Sequence, residues 1–482
     1  MGNSTSSTFR LSVATLAIMN VTAVVSLRGL AAESVYGLGS AFYYLFAAMV
    51  FLIPTALVAA ELAAMFSDKQ GGVFRWIGEA FGARMGFLAI WLQWIQSTIW
   101  YPTVLTFGAV SIAFIGMNQQ ADMALASNKL FTLVVVLAIY WTATFISLKG
   151  LDWVGKISKW GGIIGTIIPA GLLIVLGVIY LVTGGHNNMD MSAGFFPDLK
   201  KFDNLVLASS IFLFYAGMEM MGIHVMDVNN PKRNYPKAII IGSLITVAIF
   251  ILGTFSLGFI IPAKEVSLTQ SLLIGFDRYF DYLHMSWASP LIAIALMFGV
   301  LAGVLTWVAG PSKGIFTVGK AGYLPPFFQK SNKNGVQRNI LLVQGGIVTL
   351  LSLLFVVMPS VQSFYQILSQ MTTSLYLIMY MMLFASAIVL RYRMRDSDRP
   401  FRLGGNFTMW IIAGLGFCGS LLAFILSFIP PAQISTGDPK TWVTILIVGC
   451  IIVVVVPFII YAMRKPSWKS SGAEFAPFHW EK

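Results

Sequence analysis

Four ionisable side chains interrupt long apolar runs of this sequence, and they are the residues best placed to do chemistry. They are Arg28, Glu61, Glu219 and His224. A charge inside an apolar environment is costly, so each of them needs a partner or a function. Glu61 lies near the end of its run, which favours a structural hydrogen-bonding role. His224 lies beside a polar loop, which favours a snorkelling or capping role.

Glu219 lies in the middle of its run, within the sequence FYAGMEMMG, between Gly217 and Gly222. Glycines weaken a helix and leave backbone amides and carbonyls free to face a cavity. The first apolar run has a looser counterpart in NVTAVVSLRG, where β-branched residues precede Ser26. Two interrupted spans in corresponding halves of a chain indicate a substrate site at the membrane midplane. The alternative is that these glycines only allow close helix packing.

An amino acid suits a site of this kind. Half-helix N-termini offer free N–H groups and partial positive charge to a carboxylate, and free carbonyls accept from an ammonium group. Enzyme chemistry is not indicated, because the sequence has no nucleophile–base set or phosphate loop. The 4 histidines show no zinc-ligand spacing. Cys418 and Cys450 lie in apolar runs, as packing residues do. We therefore expect no catalytic residue, metal or cofactor.

The elements that position these residues are membrane-spanning helices. Of the 482 residues, 57% are hydrophobic and only 10% are charged, less than half the charge of an ordinary soluble protein. The apolar runs are long enough to cross a bilayer as helices, and they do not alternate as barrel strands do. The sequence predicts an all-α polytopic protein of twelve spans, near 9–31, 38–65, 86–116, 129–148, 159–183, 204–226, 237–262, 287–316, 339–358, 363–390, 405–429 and 441–463.

The basic residues indicate the orientation of these spans. With a cytoplasmic N-terminus, 24 of the 31 basic residues fall in inner segments. The positive-inside rule then places both termini in the cytoplasm. The net charge of +12 is explained by this topology and not by nucleic-acid binding. The first run lacks a cleavage site and is predicted to be a span. Residues 263–286 form the longest outer loop, with a short helix along the membrane surface, and 464–482 form a short polar tail.

Three segments carry a resemblance to a known family: 54–91, 217–238 and 310–336. They resemble the amino acid–polyamine–organocation superfamily, and within it the bacterial glutamate/GABA antiporters, in order over nearly the whole chain. The resemblance implies a single transporter domain over 1–482 with the five-plus-five inverted-repeat fold. The repeats would span about 9–183 and 204–390, with two extra helices at about 405–463. It also implies alternating access without a required sodium ion.

The resemblance also implies the site residues. The first-helix break falls on Ala23, Val24, Val25 and Ser26, and the sixth-helix break on Ala216 and Gly217, with Glu219 just beyond it. Other residues match positions that face the substrate path: Tyr101 on the third helix, and Tyr376 and Tyr380 on the tenth. Three features depart from the acid-resistance members. Those members carry glutamate where this chain has Gly303, they lack an equivalent of Arg28, and their C-terminal tail is longer.

These observations predict an amino acid antiporter of glutamate/GABA type in a bacterial inner membrane. Its partners would be small amino acid substrates and the lipid bilayer, without nucleic acid, and no oligomeric state is indicated. A proton-coupled symporter that uses Glu219 as its proton carrier is the alternative. A channel would need polar rings along a wet pore, and no span shows such a polar stripe. A nutrient sensor would be expected to carry a soluble signalling domain, and none is predicted. Arg28 is expected either to bind an acidic group of the substrate or to pair with Glu33 or Glu219, unless it snorkels to the outer surface.

Overall fold

The computed structural model describes residues 11–191, 194–196, 210–357, 361–429, 438–469 and 475–481. In this part of the chain the regular structure is helical, and one isolated bridge joins Leu11 to Val228. Sixteen α-helices are labelled here in chain order: α1 Val13–Val24, α2 Leu30–Ser34, α3 Gly39–Met65, α4 Val73–Phe81, α5 Ala83–Ala113, α6 Gln119–Ala126, α7 Lys129–Ser147, α8 Leu151–Val182, α9 Ser210–Tyr215, α10 Pro231–Ile260, α11 Ser271–Tyr282, α12 Ser289–Lys320, α13 Arg338–Val357, α14 Val361–Arg393, α15 Asn406–Ser427 and α16 Pro439–Ala462.

Local sequence signals explain where several helices begin. The side chain of Ser12 accepts a hydrogen bond from the Thr15 N–H at the start of α1, and Asn128 caps α7 in the same way. Asp438 caps α16, and Pro439 occupies its first turn. Such caps satisfy backbone donors that a helix N-terminus leaves unpaired.

The helices are long and apolar enough for a polytopic membrane protein. Among the described residues, nine helices meet this condition, and the bent pair Val13–Val24 and Leu27–Ser34 makes a tenth span. The other two predicted spans are 339–358, which corresponds to α13, and 204–226, which contains α9. The span at 204–226 begins in residues outside the described part. The all-helical membrane class is confirmed, and the count of twelve stays a prediction.

Contacts near the ends of the helices define two regions that are named here. The basic face includes Asp227, Lys232, Lys313 and Asp398, where Lys313 pairs with Asp227 at 2.8 Å and Lys232 pairs with Asp398 at 3.0 Å. The α11 face includes α11 and the loops before it and after α6, where Gln270 Nε2 donates to Ser127 Oγ at 3.1 Å. The helices between the two faces carry the interrupted segments and the deep ionisable residues.

Glu61 belongs to a buried ion network near the basic face. Its two carboxylate oxygens accept from Arg391 at 2.7 Å and Arg399 at 3.0 Å, and the Leu403 N–H donates to the same carboxylate at 2.8 Å. A buried charge is tolerated when it is paired and hydrogen-bonded in this way. The network ties α3 to α14 and the loop after it, as the predicted structural role requires.

Three loop regions show more than the sequence predicted. The helix expected in 263–286 forms as α11, and its residues Leu272, Leu273 and Phe276 are buried in the protein. His224 does not snorkel: it is buried, and its Nδ1 lies 3.2 Å from Asp227 Oδ2. The predicted polar tail is docked where it is described, because Phe478 is fully buried against α4. Its aromatic residues supply the apolar surface that drives this docking.

Candidate functional site

The first span is interrupted at Val25 and Ser26. Helix α1 ends at Val24, the next two residues are extended, and helical turns resume at Leu27 after a bend of 40°. An interrupted helix leaves carbonyl groups without intrahelical partners. One of them is satisfied from α12, because the indole Nε1 of Trp307 donates to the Ala23 carbonyl at 2.8 Å. The break therefore has a specific side-chain support, although no glycine marks it in the sequence.

The sixth segment is interrupted at Ala216–Glu219, between the end of α9 and a 3₁₀ helix at Met220–Asp227. Gly217 has a φ of +116°, a conformation that strains any residue with a Cβ atom. A Cβ at this position would lie 2.9 Å from Cζ2 of Trp307. The Gly217 N–H donates to the hydroxyl of Tyr380 at 2.6 Å. Glycine is thus required here by both the backbone angle and the close packing.

Glu219 is held by a hydrogen-bonded cluster from α5 and α14. Gln93 Nε2 donates to Oε1 at 2.8 Å, and the hydroxyls of Tyr376 and Tyr380 donate to Oε1 and Oε2. All four side chains are buried. Because Tyr380 also accepts from the Gly217 N–H, the cluster connects the carboxylate to the sixth-segment break. A change at Glu219 would therefore reach both α14 and the break.

A narrow cavity, named here the central cavity, lies where the two breaks meet. It is lined by Ala23, Val24, Ser26, Arg28, Gln96, Trp100, Leu213, Phe214, Ala216, Trp307 and Tyr376. Its aromatic wall is continuous, since the Trp307 ring lies 5.6 Å from that of Trp100 and 6.0 Å from that of Tyr376. Residues from both breaks and three aromatic side chains thus converge on one space.

Several predicted site residues lie outside this cavity. Tyr101 is fully buried, and its ring packs at 5.2 Å against Tyr140 of α7. Tyr380 stands behind Tyr376, at a ring distance of 4.7 Å. Val25 faces a neighbouring cavity that also includes Gly303. Gly303, where the resembling acid-resistance members carry glutamate, therefore lies beside the first-segment break.

Arg28 has an environment that the sequence did not predict. Its Nε donates to Ser26 Oγ at 3.0 Å, and its Nη1 donates to the Thr103 carbonyl at 2.7 Å. The guanidinium carbon lies 4.9 Å from the ring centroid of Tyr365, within the range of a cation–π contact. Arg28 is buried, so it does not snorkel.

Neither of the carboxylates expected near Arg28 pairs with it. Glu33 Oε1 accepts from Ser210 Oγ at 2.7 Å, and Glu219 is occupied by its own cluster. Across the residues that the structure describes, the guanidinium of Arg28 forms no salt bridge. Within the described part of the chain, it is therefore a buried cation beside the central cavity without a carboxylate partner.

Comparison with known proteins agrees with this architecture. The amino acid permease family model matches residues 11–465. The chain belongs to the amino acid permease family. An uncharacterised transporter of Legionella pneumophila is 36% identical over 450 residues, which cover 93% of this chain and 96% of that one. A glutamate/gamma-aminobutyrate antiporter of Lactococcus lactis is 33% identical over 430 residues, which cover 88% and 84% of the two chains.

A probable agmatine/putrescine antiporter of Lactococcus lactis is 26% identical over 396 residues, 81% of this chain and 82% of that one. Family membership confirms the superfamily resemblance and identifies this permease as a multi-pass membrane transporter of small molecules, and not an enzyme. Among the described residues, no group of three or more His, Cys, Asp or Glu side chains is placed to hold a metal ion.

Two site residues of this permease were missed from the sequence. Gln93 holds Glu219, and Gln96 lines the central cavity. Both lie on α5, three residues apart and so on one face of the helix. Two amide side chains within an otherwise apolar run were the sequence signal that could have identified them.

Proposed function

We propose that this permease is an antiporter that exchanges amino acids by alternating access, with the central cavity as its substrate site. The observation that carries the proposal is the meeting of two broken helical segments around one cavity beside Arg28, which has no carboxylate partner among the described residues. Interrupted helices at the midplane of a transporter present backbone groups that suit the carboxylate and ammonium groups of an amino acid. The faces of Trp100, Trp307 and Tyr376 offer further attraction to an ammonium group.

Within this proposal, the substrates are of the glutamate/GABA type. Support comes from the 33% identical relative that bears that name. Further support comes from Arg28, whose planar guanidinium suits bidentate binding of a substrate carboxylate. A proton-coupled symporter remains the second candidate, favoured by the burial of Glu219 beside the sixth-segment break.

The proposed architecture has twelve spans in two inverted repeats of five, at about 9–183 and 204–390, followed by the two helices α15 and α16. The breaks at Val25–Ser26 and Ala216–Glu219 occupy the first span of each repeat, which supports this arrangement. We place the protein in a bacterial inner membrane with both termini cytoplasmic, so that the basic face is the inner face.

Vesicle exchange tests the function directly. Proteoliposomes preloaded with unlabelled glutamate or GABA are expected to accumulate labelled glutamate, whereas empty proteoliposomes are not, because an antiporter reorients only with substrate bound. Uptake into empty proteoliposomes driven by an imposed pH gradient would establish the symporter instead. Absence of transport for a full panel of amino acids in both formats would refute both candidates.

The orientation can be tested by thiol labelling. In a background with Cys418 and Cys450 replaced by alanine, we expect His186→Cys to react from outside intact cells with an impermeant maleimide. Arg395→Cys should react only after the membrane is opened. Both positions are exposed, so accessibility alone does not separate them. The reverse labelling pattern would invert the topology.

Glu219→Gln is expected to flatten the pH dependence of exchange and to slow it by roughly tenfold or more. A glutamine cannot take up a proton, and its amide would place a donor against a tyrosine hydroxyl that now donates to Glu219. The measurement is the exchange rate across a pH series. Tyr376→Phe is the matched control, because it removes one hydrogen bond but keeps the carboxyl group, and it should slow exchange without flattening the profile. A wild-type rate and profile in Glu219→Gln would leave this residue a structural role only.

A further inference from the structure

A second narrow cavity, named here the α11-side cavity, is also lined by Arg28. It shares Arg28, Leu213 and Phe214 with the central cavity, and it also includes Leu268, from the loop before α11. The two cavities are therefore neighbours, and this one lies toward the α11 face.

One wall of the α11-side cavity is a polar face of α14. Gln366, Ser369, Gln370 and Thr373 line it, and their spacing puts them on a single side of the helix. All four are buried. Among the residues that the structure describes, Gln370 Oε1 and Ser369 Oγ have no hydrogen-bond partner. Unpaired buried acceptors are uncommon, and each costs free energy unless something binds it.

The chemistry of this wall specifies its occupant. Arg28 supplies a cation without a carboxylate partner in the described chain, and three of its five N–H groups are bonded to Ser26 and Thr103. A guanidinium in the path disfavours a proton or a metal cation. A simple anion would satisfy Arg28 and could accept from the Ser369 hydroxyl, but it would leave the acceptor Gln370 Oε1 unpaired. A molecule with both a carboxylate and an ammonium group would satisfy both ends.

We propose that the α11-side cavity is a second subsite for an amino acid of net negative charge, occupied on the way between the α11 face and the central cavity. The side-chain carboxylate of the substrate binds Arg28, and its ammonium group donates to Gln370 Oε1 and Ser369 Oγ. Arg28 lines both cavities, so the carboxylate keeps one partner while the substrate moves between them. This inference rests on the proposed amino acid exchange, and it adds a location and a recognition role for α14.

The experiment measures the glutamate KM separately at each face, with right-side-out and inside-out vesicles. For Gln370→Leu we expect the KM at the α11 face to rise about tenfold or more, which is the effect of losing a hydrogen bond to a charged group. The KM at the basic face and the maximal exchange rate should not change. Thr372→Val is the matched control: Thr372 is also buried with an unpaired hydroxyl on α14, but it does not line this cavity.

A second measurement separates the amino acid from a bare dicarboxylate. Glutarate, which lacks the ammonium group, should inhibit wild-type exchange at the α11 face more weakly than glutamate does, and Gln370→Leu should reduce this difference. An equal rise of KM at both faces would assign Gln370 to the central site and overturn the subsite. An unchanged glutamate KM at both faces in Gln370→Leu would mean that the α11-side cavity holds water only, and it would also overturn the subsite. If the wild-type protein itself shows no amino acid exchange, the proposed function is refuted instead, so the two failures are distinguishable.

Discussion

Gly217→Ala is expected to reduce amino acid exchange by roughly a hundredfold or more, which corresponds to about 2.7 kcal/mol. Holding alanine at a φ of +116° costs about 1–3 kcal/mol. The added Cβ would also lie 2.9 Å from Trp307, the residue whose indole supports the Ala23 carbonyl. One methyl group therefore disturbs both breaks at once. The measurement is counterflow of labelled glutamate into preloaded proteoliposomes.

The matched control for this substitution is Gly171→Ala on α8. Gly171 is helical, and a Cβ there would meet no atom within 4 Å, so alanine should leave exchange unchanged. Protein yield and monodispersity in detergent should be similar for the two variants, which separates a site effect from misfolding. Wild-type exchange by Gly217→Ala would show that the conformation of this break is not needed for transport.

The sequence predicts the spans and the sixth-segment break for simple physical reasons. Continuous apolar runs require backbone groups to be satisfied within helices, so α3, α5 and α12 can be read from hydropathy. Gly217 is recognisable because glycine in mid-span is unfavourable unless the backbone needs it. The break at Val25–Ser26 has no such marker. Its support comes from Trp307, 284 residues away along the chain, so the β-branched residues before Ser26 indicated it only loosely, and the family resemblance implied its position.

The remaining features of the site depend on contacts that no local pattern encodes. The row of Gln and Ser residues on α14 reads as a moderately polar helix until the structure places it against Arg28. From the sequence, Arg28 can pair with an acidic group of the substrate, with Glu33 or with Glu219, because topology makes these two the nearby carboxylates. The structure gives each carboxylate other partners. Which of several buried groups pair is decided by tertiary packing, and among the described residues Arg28 pairs with neither carboxylate.

Arg28→Gln is expected to lower exchange of acidic amino acids by roughly a hundredfold, while neutral amino acids such as GABA keep rates within a few fold of the wild type. Each hydrogen bond to a charged group contributes about 1.5–3 kcal/mol, so loss of a bidentate pair accounts for this factor. Glutamine retains a donor for Ser26 or the Thr103 carbonyl, which limits structural damage. Arg28→Lys should restore only part of the activity, because an ammonium group is a poor substitute for a planar fork.

The comparison of substrates is what makes the Arg28 result decisive. Arg278→Met is the matched control, since Arg278 lies at the α11 face and pairs with Glu265 at 2.5 Å. It removes a positive charge from the same side of the molecule without touching either cavity, so it should not change the ratio of acidic to neutral exchange. A selective loss in Arg28→Gln would therefore come from direct contact with the substrate carboxylate and not from the general electrostatic field. An equal loss for every substrate would instead make Arg28 a support of the first-segment break through Ser26 and Thr103.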